Sequence, residues 1–357
     1  MLHRNIAKDG GEHAAPHEWI RPMTSPNRRD SASLTRAASQ RLKIRAVAGT
    51  AMATMAASAY ANHRLAKRAE RDNPPIGRFI TVQGVRLHYL ERGTGPALVL
   101  LHGNGSMIQD FESSGLIDMA ARTHRVIVFD RPGYGHSSRP RGMIWTPAAQ
   151  AALFHEAMRR IGVTRATVLG HSWGCSVAVA LADRFPGTVS GLVLASGYYY
   201  PSARADVVGL SVPAVPVLGD VLRYAVSPHL ARLTWPAVIE HLFAPRPVPP
   251  KFAGFPKEMA VRPSQIRASA AETALMIPRA AAARPRYAAL SMPVAILAGA
   301  EDRLIDCEEQ SARLHEEIAQ SSFDRLPGEG HMIHQTATTA LMAAIDKVAA
   351  PRTLAVA

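Results

Sequence analysis

The chain has 357 residues, 47% hydrophobic and 19% charged, enough for one core of about 250–300 residues plus an extra segment. Its net charge of +13 is uneven: residues 1–71 carry 13 Lys/Arg against 5 Asp/Glu, residues 198–290 carry 11 against 5, and the remainder is close to neutral. With no zinc-ligand spacing and no aromatic RNA-binding motif, this basicity does not read as a nucleic-acid interface, and two cysteines, Cys175 and Cys307, exclude a disulfide framework or a thiolate metal cluster.

Residues 1–45 are rich in Arg, Ser, Ala and Pro without an apolar period and are predicted to be a disordered basic tail, facing solvent or a membrane. An Ala-rich helix is predicted within 46–72. Its residues 46–62 carry no charge and lie between Arg41, Lys43 and Arg45 on one side and Arg64, Lys67, Arg68 and Arg71 on the other. A membrane anchor is the favoured reading, although these 17 residues fall short of the roughly 20 that a span needs. A surface helix packed on the domain comes next. A secretory signal would require a start at Met23 and cleavage near Ala57, Ala59 or Ala61, and a transit peptide would account for the lack of acids between Asp30 and Glu70. The expected location is therefore cytoplasmic or membrane-associated through this helix. Basic residues are similar in number on both sides, so they set no orientation.

Asn73-Pro74-Pro75 closes this region and a folded domain follows. Short apolar, β-branched runs predict strands at Phe79–Val82, Val85–Leu90, Ala97–Leu101, Val126–Asp130, Ala166–Gly170, Leu192–Ala195, Val294–Ala298 and Ser322–Leu326. Helical patterns lie near 107–121, 148–161, 173–185, 307–319 and 336–348. This alternation predicts an α/β fold with a mostly parallel eight-stranded sheet and helices on both faces. Gln83-Gly84 is too short for a crossover, so the first two strands form an antiparallel hairpin. The pattern breaks at 198–290, a Pro-rich stretch with helical pieces and no clear strand, too long for a plain loop. The core is thus expected at 73–197 and 291–357, with 198–290 as a helical cap. No internal repeat is visible.

Gly170-His171-Ser172-Trp173-Gly174 matches G-x-S-x-G directly after a strand and before a helix. That context puts a serine on a sharp, strained turn, with glycines allowing strand and helix to approach closely. A hydroxyl is a poor nucleophile until a base takes its proton. Among 15 histidines, His331 is the candidate base, on a Gly-rich loop after the last strand. His63 is expected in solvent, His171 should point away from the nucleophile, and His334 is the local competitor. The acid that orients the base is read as Asp302, at the carboxyl end of the preceding strand, with Glu301 and Asp306 as nearby alternatives. Backbone N–H groups for an oxyanion are expected from Trp173 and from the His102-Gly103-Asn104-Gly105 loop, with Asn104 as donor, Gly103 as its alternative and His102 structural.

HGNG at 102–105, FDRPGYGHS at 129–137, GHSWG, GAED at 299–302 and GEGH at 328–331, in this order, resemble the cap-bearing branch of the α/β-hydrolase superfamily: esterases, lactonases, C–C hydrolases, epoxide hydrolases and dehalogenases. The resemblance covers residues 78–350, though the cap matches only in position. It implies that Pro132, Gly133 and Gly135 form a turn that buttresses the oxyanion loop. One departure narrows the activity: epoxide hydrolases and haloalkane dehalogenases of this branch carry Asp where this chain has Ser172.

The expected activity is a carboxylic ester hydrolase that works through an acyl-enzyme and requires neither metal nor organic cofactor. Its partner would be a small apolar substrate, with membrane contact through 46–62; nothing in the sequence sets an oligomeric state. Tyr198, Trp235 and Phe243, with Tyr199, Tyr200, Phe252 and Phe255, are candidates for a pocket lining, although such aromatics serve cap-to-core packing more often. The excess of basic residues in the cap would tolerate an anionic substrate. The GHSWG core also resembles proline iminopeptidases, for which Glu240, Glu258 and Glu272 would have to converge on an amino terminus. A non-catalytic receptor and an acyltransferase on the same fold are the other readings.

Overall fold

The structure is a computed structural model and describes residues 28–350. Two compact units divide at Thr54 and Met55. A helix, α1 (Arg28–Asp72), opens the described chain. It begins well before residue 46, so the part of the expected tail from 28 to 45 is helical, while residues 1–27 lie outside the described residues. The reason is local: after Pro26 no Pro or Gly intervenes until Gly49, and Ala, Leu, Arg, Lys and Gln dominate, so propensity supports a helix that apolar periodicity does not announce. Among the described residues, no single helix is long and apolar enough to cross a membrane.

Eight strands follow: β1 (Arg78–Val82), β2 (Val85–Arg92), β3 (Ala97–Leu101), β4 (Arg125–Phe129), β5 (Ala166–His171), β6 (Val189–Ala195), β7 (Val294–Gly299) and β8 (Ser321–Leu326). They form one sheet in the order β1-β2-β4-β3-β5-β6-β7-β8. β2 is antiparallel to β1 and β4, and the other neighbours are parallel. The predicted hairpin and the predicted strand set are both present.

Helices α2 (Ile108–Ser114), α3 (Leu116–Ala120), α4 (Pro147–Arg160) and α5 (Trp173–Arg184) connect the first strands. The insertion contains α6 (Ala205–Ser211), α7 (Leu218–Ala225), α8 (Ser227–Phe243), α9 (Lys257–Ala260) and α10 (Pro263–Ala283), and no strand. Helices α11 (Arg313–Glu317), α12 (Ile333–Thr336) and α13 (Thr338–Ala349) complete the domain.

Alternation along the central strands explains why their sequences are apolar throughout. Val99, Leu101, Ile127, Val168 and Leu194 face Phe154 and Leu181 of α4 and α5 on one side. Leu98, Leu100, Val128, Leu169 and Val193 face Phe111, Leu341 and Ile345 on the other. A sheet buried on both faces needs apolar residues at both parities.

The end of α1 is tied to the cap. Ser58 Oγ donates to Ala225 O (2.6 Å), Asn62 Nδ2 donates to Tyr224 O (2.8 Å), and Arg262 pairs with Glu70 (2.9 Å). Asn62 is fully buried, whereas residues 36–57 are exposed. The expected solvation of His63 agrees with its exposed position.

Candidate active site

Ser172 joins β5 to α5 with φ 53° and ψ −120°, a backbone region that non-glycine residues rarely occupy. Two neighbours make the turn possible. A Cβ at Gly170 would collide with the backbone of Gly174 and Cys175, and one at Gly174 would collide with the Leu101 carbonyl at the end of β3. The β3–α2 loop lies directly against the turn, since a Cβ on Gly103 would sit 3.1 Å from Ser172 Cβ. Among the described residues, neither the Asn104 N–H nor the Trp173 N–H donates to another protein group. Two unspent donors beside a half-buried hydroxyl at a helix N-terminus suit a developing oxyanion.

His331 and Asp302 are brought together, with Nδ1 2.7 Å from Oδ2 and both side chains buried. The other oxygen, Oδ1, accepts from the N–H groups of Leu304 (2.8 Å) and Ile305 (3.0 Å), so the carboxylate is fixed by three bonds. This places the Nδ1 proton towards Asp302 and leaves Nε2 as the free face of the ring. The alternatives are otherwise engaged: Glu301 accepts from the Gly328 N–H and Asp306 from the Glu309 N–H. The His331 N–H donates to Leu242 O (3.1 Å), so the backbone of the base rests on cap helix α8. No direct hydrogen bond joins Ser172 Oγ to His331 among the described residues; such contacts commonly tighten only with substrate present.

A second histidine–carboxylate group lies behind the first. The His171 ring donates through Nε2 to His331 O (3.1 Å) and stands 4.1 Å from the His334 ring. His334 Nε2 is 2.9 Å from Asp110 Oδ1. Burial, then the His334 and His331 charges, hold His171 well below the usual histidine range, so it is neutral. Burial would raise Asp110, but the charge and contacts of His334 outweigh it and keep the carboxyl below its ordinary value. His334 is therefore committed to Asp110, and His171 points away from the nucleophile as predicted. Asp110, His171 and His334 each offer a ligand atom within 4.8 Å of the others, a metal-like grouping. Asp110 also accepts from Ser106 (2.7 Å) and Gln335 (3.0 Å), and with His171 bonded to His331 O the group acts as packing support for the base.

The His102–Gly105 loop is braced from the helical insertion at 198–290. Arg131, fully buried, uses all five N–H donors: Nε to His102 O (2.8 Å), Nη2 to Gly103 O (2.9 Å) and Glu272 Oε2 (2.9 Å), and Nη1 to Glu272 Oε1 (2.5 Å) and Gln150 Oε1 (3.1 Å). Glu272 lies on cap helix α10 and is also fully buried. Burial alone would raise its carboxyl, but Arg131, Arg139 and Tyr134 hold it below the usual range, so the pair is ionic. Tyr134 Oη sits 2.6 Å from Glu272 and 2.7 Å from Asn104 Oδ1, while Asn104 Nδ2 donates to Thr273 Oγ1 (3.0 Å). The Asn104 side chain is thus held between core and cap. His102 is structural as expected: Nδ1 donates to Gly103 O (2.8 Å), Nε2 accepts from the Arg131 N–H (3.0 Å), and burial with the Arg131 charge pushes it down to about 4.

The turn at Pro132, Gly133 and Gly135 closes over the Asp130 carboxylate, which accepts from Ile108 N and His136 N and pairs with His88. Its contribution to the loop runs through Arg131, which the sequence did not single out.

The aromatic candidates serve packing. Tyr198 is buried with Ala280 and Ile305. Phe243 is buried against Phe252 at 5.0 Å, in a cluster with Met107, after the oxyanion loop, and Met332, after the base. Trp235 stacks on Phe255 at the edge of that cluster, and Tyr199 and Tyr200 lie in the main core. The three acids proposed for an amino terminus do not converge: Glu272 holds Arg131, Glu258 pairs with Arg232 (2.9 Å), and Glu240 is exposed.

Comparison with known proteins agrees with this architecture. The family profile described as alpha/beta hydrolase fold matches residues 96–338. An uncharacterised protein of Mycobacterium tuberculosis is 35% identical over 123 residues, a match that spans only 35% of its length and 34% of this chain. Haloalkane dehalogenase 2 of the same organism is 27% identical over 272 residues, 73% of this chain and 90% of that protein. A thermophilic esterase from Thermogutta terrifontis superposes with a TM-score of 0.64 at 21% identity, covering 76% of this chain and 98% of the esterase.

Proposed function

This chain belongs to the α/β-hydrolase fold family, and from that premise we propose that it is a serine hydrolase acting on a carboxylic ester or related carbonyl through an acyl-enzyme. The observation that carries the proposal is the pairing of His331 with Asp302 at 2.7 Å, with Ser172 on a strained turn against the oxyanion loop. In this reading Ser172 Oγ attacks the carbonyl carbon as its proton passes to His331 Nε2. The Asn104 and Trp173 N–H groups hold the oxyanion. Collapse breaks the bond to the leaving alcohol, which takes the proton from His331. A water molecule, deprotonated by the same His331, then adds to the acyl-enzyme and releases the acid, restoring Ser172. Asp302 keeps the imidazole oriented and balances its charge throughout.

Although haloalkane dehalogenase 2 is a relative, dehalogenation is not proposed, because a serine stands where that branch carries a carboxylate nucleophile. The substrate we propose is a small apolar ester. The test is labelling by a fluorophosphonate, wild type against Ser172→Ala, together with hydrolysis of p-nitrophenyl esters from acetate to decanoate. Labelling that disappears in the variant supports the reading. A folded wild type that neither labels nor hydrolyses any ester overturns it in favour of a receptor.

We place the protein in the cytoplasm or on a membrane reached through α1. Fractionation of cells expressing the full chain and a version starting at Met55, which spares the buried Asn62, tests the role of the earlier residues. Equal solubility of both would remove residues up to 54 as an anchor.

A further inference from the structure

The cap spends its apolar residues unevenly. On the inner side, Ile239 and Phe243 of α8 pack with Met107 and Met332 beside the catalytic loops. On the outer side, Val208 (75% exposed), Leu210 (60%), Val217 (77%), Leu218 (53%), Leu230 (56%) and Leu233 (79%) face solvent. They recur with order. Leu230 and Leu233 lie one turn apart on α8, with the exposed Val226 at its N-cap. Leu218 and Val221 lie one turn apart on α7. The turn between them and α6, Val215-Pro216-Val217-Leu218, is exposed along its whole length. Val217 at its tip has φ 66°, an unfavourable conformation for a β-branched residue. Val207 of α6, Ala225 of α7 and Ile239 and Phe243 of α8 are the apolar residues these helices bury, and monomeric proteins rarely leave an outer patch of this kind uncovered.

We propose that the outer face of α6–α8 docks on an anionic lipid surface. The segments Val207–Ala214 and Leu218–Ala225 are apolar enough together to enter a membrane but meet at 97° and are each too short to cross it, a shape that suits lying in the interface. Charge chooses the occupant. Residues 198–290 as a whole carry 11 Lys/Arg against 5 Asp/Glu, and on α7 Asp220 is paired with Arg141 and Arg223, with Arg267 close by. At the junction of α7 and α8, Asn62 binds Tyr224 O and ties α1 to that junction; further along α1 stand Arg64 and Arg71, with Lys67 and Arg68 paired to Glu70 and Asp72. An apolar face flanked by positive charge attracts anionic headgroups, whereas a second copy would present the same charge and be repelled. The docking does not rest on the serine chemistry. Under that reading, it would let an apolar acyl substrate arrive from the lipid phase.

The test uses the full-length protein and vesicles of phosphatidylcholine with and without about 30% phosphatidylglycerol. Because Cys175 and Cys307 are buried, Val217→Cys and, as a control at an exposed position on α3, Asp118→Cys can be labelled with an environment-sensitive fluorophore. A blue shift on anionic vesicles at position 217 and none at 118 is expected, weakening as salt rises from about 0.05 to about 0.5 M. A combined Val208→Ser, Val217→Ser, Leu230→Ser and Leu233→Ser variant should lose at least about tenfold in vesicle partitioning, with Tm and hydrolysis of p-nitrophenyl acetate unchanged. Three results would overturn the proposal: sedimentation with vesicles without a shift at 217, partitioning unaltered in the four-site variant, or wild-type dimers that the variant dissolves while vesicle binding is absent. Loss of esterase activity in the unmodified protein would instead count against the serine reading alone.

Discussion

Two parts of the same cap reverse the usual placement of side chains. Helix α10 turns an ionised Glu272 inwards, where it meets a fully buried Arg131, while α6–α8 turn valines and leucines outwards. Each inversion is costly for a protein that only needs to fold: a buried ion pair seldom adds net stability, and an exposed apolar face invites association. The difference indicates that the inner half of the cap serves the loops that surround Ser172 and the outer half serves something outside the molecule.

Perturbing each half separately should sharpen that contrast. The largest effects lie at the chemistry the inner half supports. Ser172→Ala should lower turnover by roughly 10⁶-fold while leaving Tm nearly unchanged, and Asp302→Asn by about 10⁴-fold, because the imidazole loses its fixed tautomer; steady-state ester hydrolysis measures both.

Next comes the brace itself. Glu272→Ala strands the Arg131 charge and should cost about 3–5 kcal/mol in urea unfolding. A double Arg131→Met, Glu272→Met variant should regain most of that stability but not the turnover. Without Arg131, the His102 and Gly103 carbonyls lose the donors that hold the oxyanion loop, and a misplaced oxyanion donor costs about 10²–10³-fold in kcat. Stability and kcat both restored would mean that the pair is mere filling.

The buried neutral histidine of the same loop gives a pH dependence. His102 is pushed down to about 4 in the folded chain, below its unfolded value of about 6.5. The unfolded chain therefore takes up the proton first as pH falls. The stability in question is complete above about pH 6.5 and is lost as pH drops towards about 4, on the order of 3 kcal/mol in all. His102→Gln, which keeps one donor and one acceptor, should flatten the difference in unfolding free energy between about pH 7 and pH 4.5. An unchanged difference would assign the effect to other groups, His171 among them. The smallest effect belongs to the outer half: Leu233→Ser should change unfolding free energy by no more than about 0.5 kcal/mol, in contrast to Glu272→Ala.

Much of the fold was legible because the central strands are buried on both faces and so read as unbroken apolar runs, as in Ala97–Leu101 and Ala166–His171. The positions of the candidate residues Ser172, Asp302 and His331 were legible for a related reason. Each follows a strand on a turn that needs glycine, and Gly170, Gly174, Gly299 and Gly330 all abut backbone that a Cβ would strike. Helix α1 was read short because its first residues hold helical propensity without an apolar face. The aromatic residues of the cap were ambiguous between lining and packing, and their partners turned out to be Met107 and Met332.

What escaped the sequence are the pairings between residues far apart along the chain. Arg131 and Glu272 are 141 positions apart, and His334 and Asp110 are 224 apart. Taken singly, each is an ordinary charged or polar residue. The chain by itself determined the order of strands and helices, the turn that strains Ser172 and the positions of its candidate partners, because local backbone geometry and side-chain periodicity are written in neighbouring residues. Only the tertiary structure decided which charge is buried against which and which apolar face stays uncovered, because burial and pairing depend on contacts that the fold alone brings together.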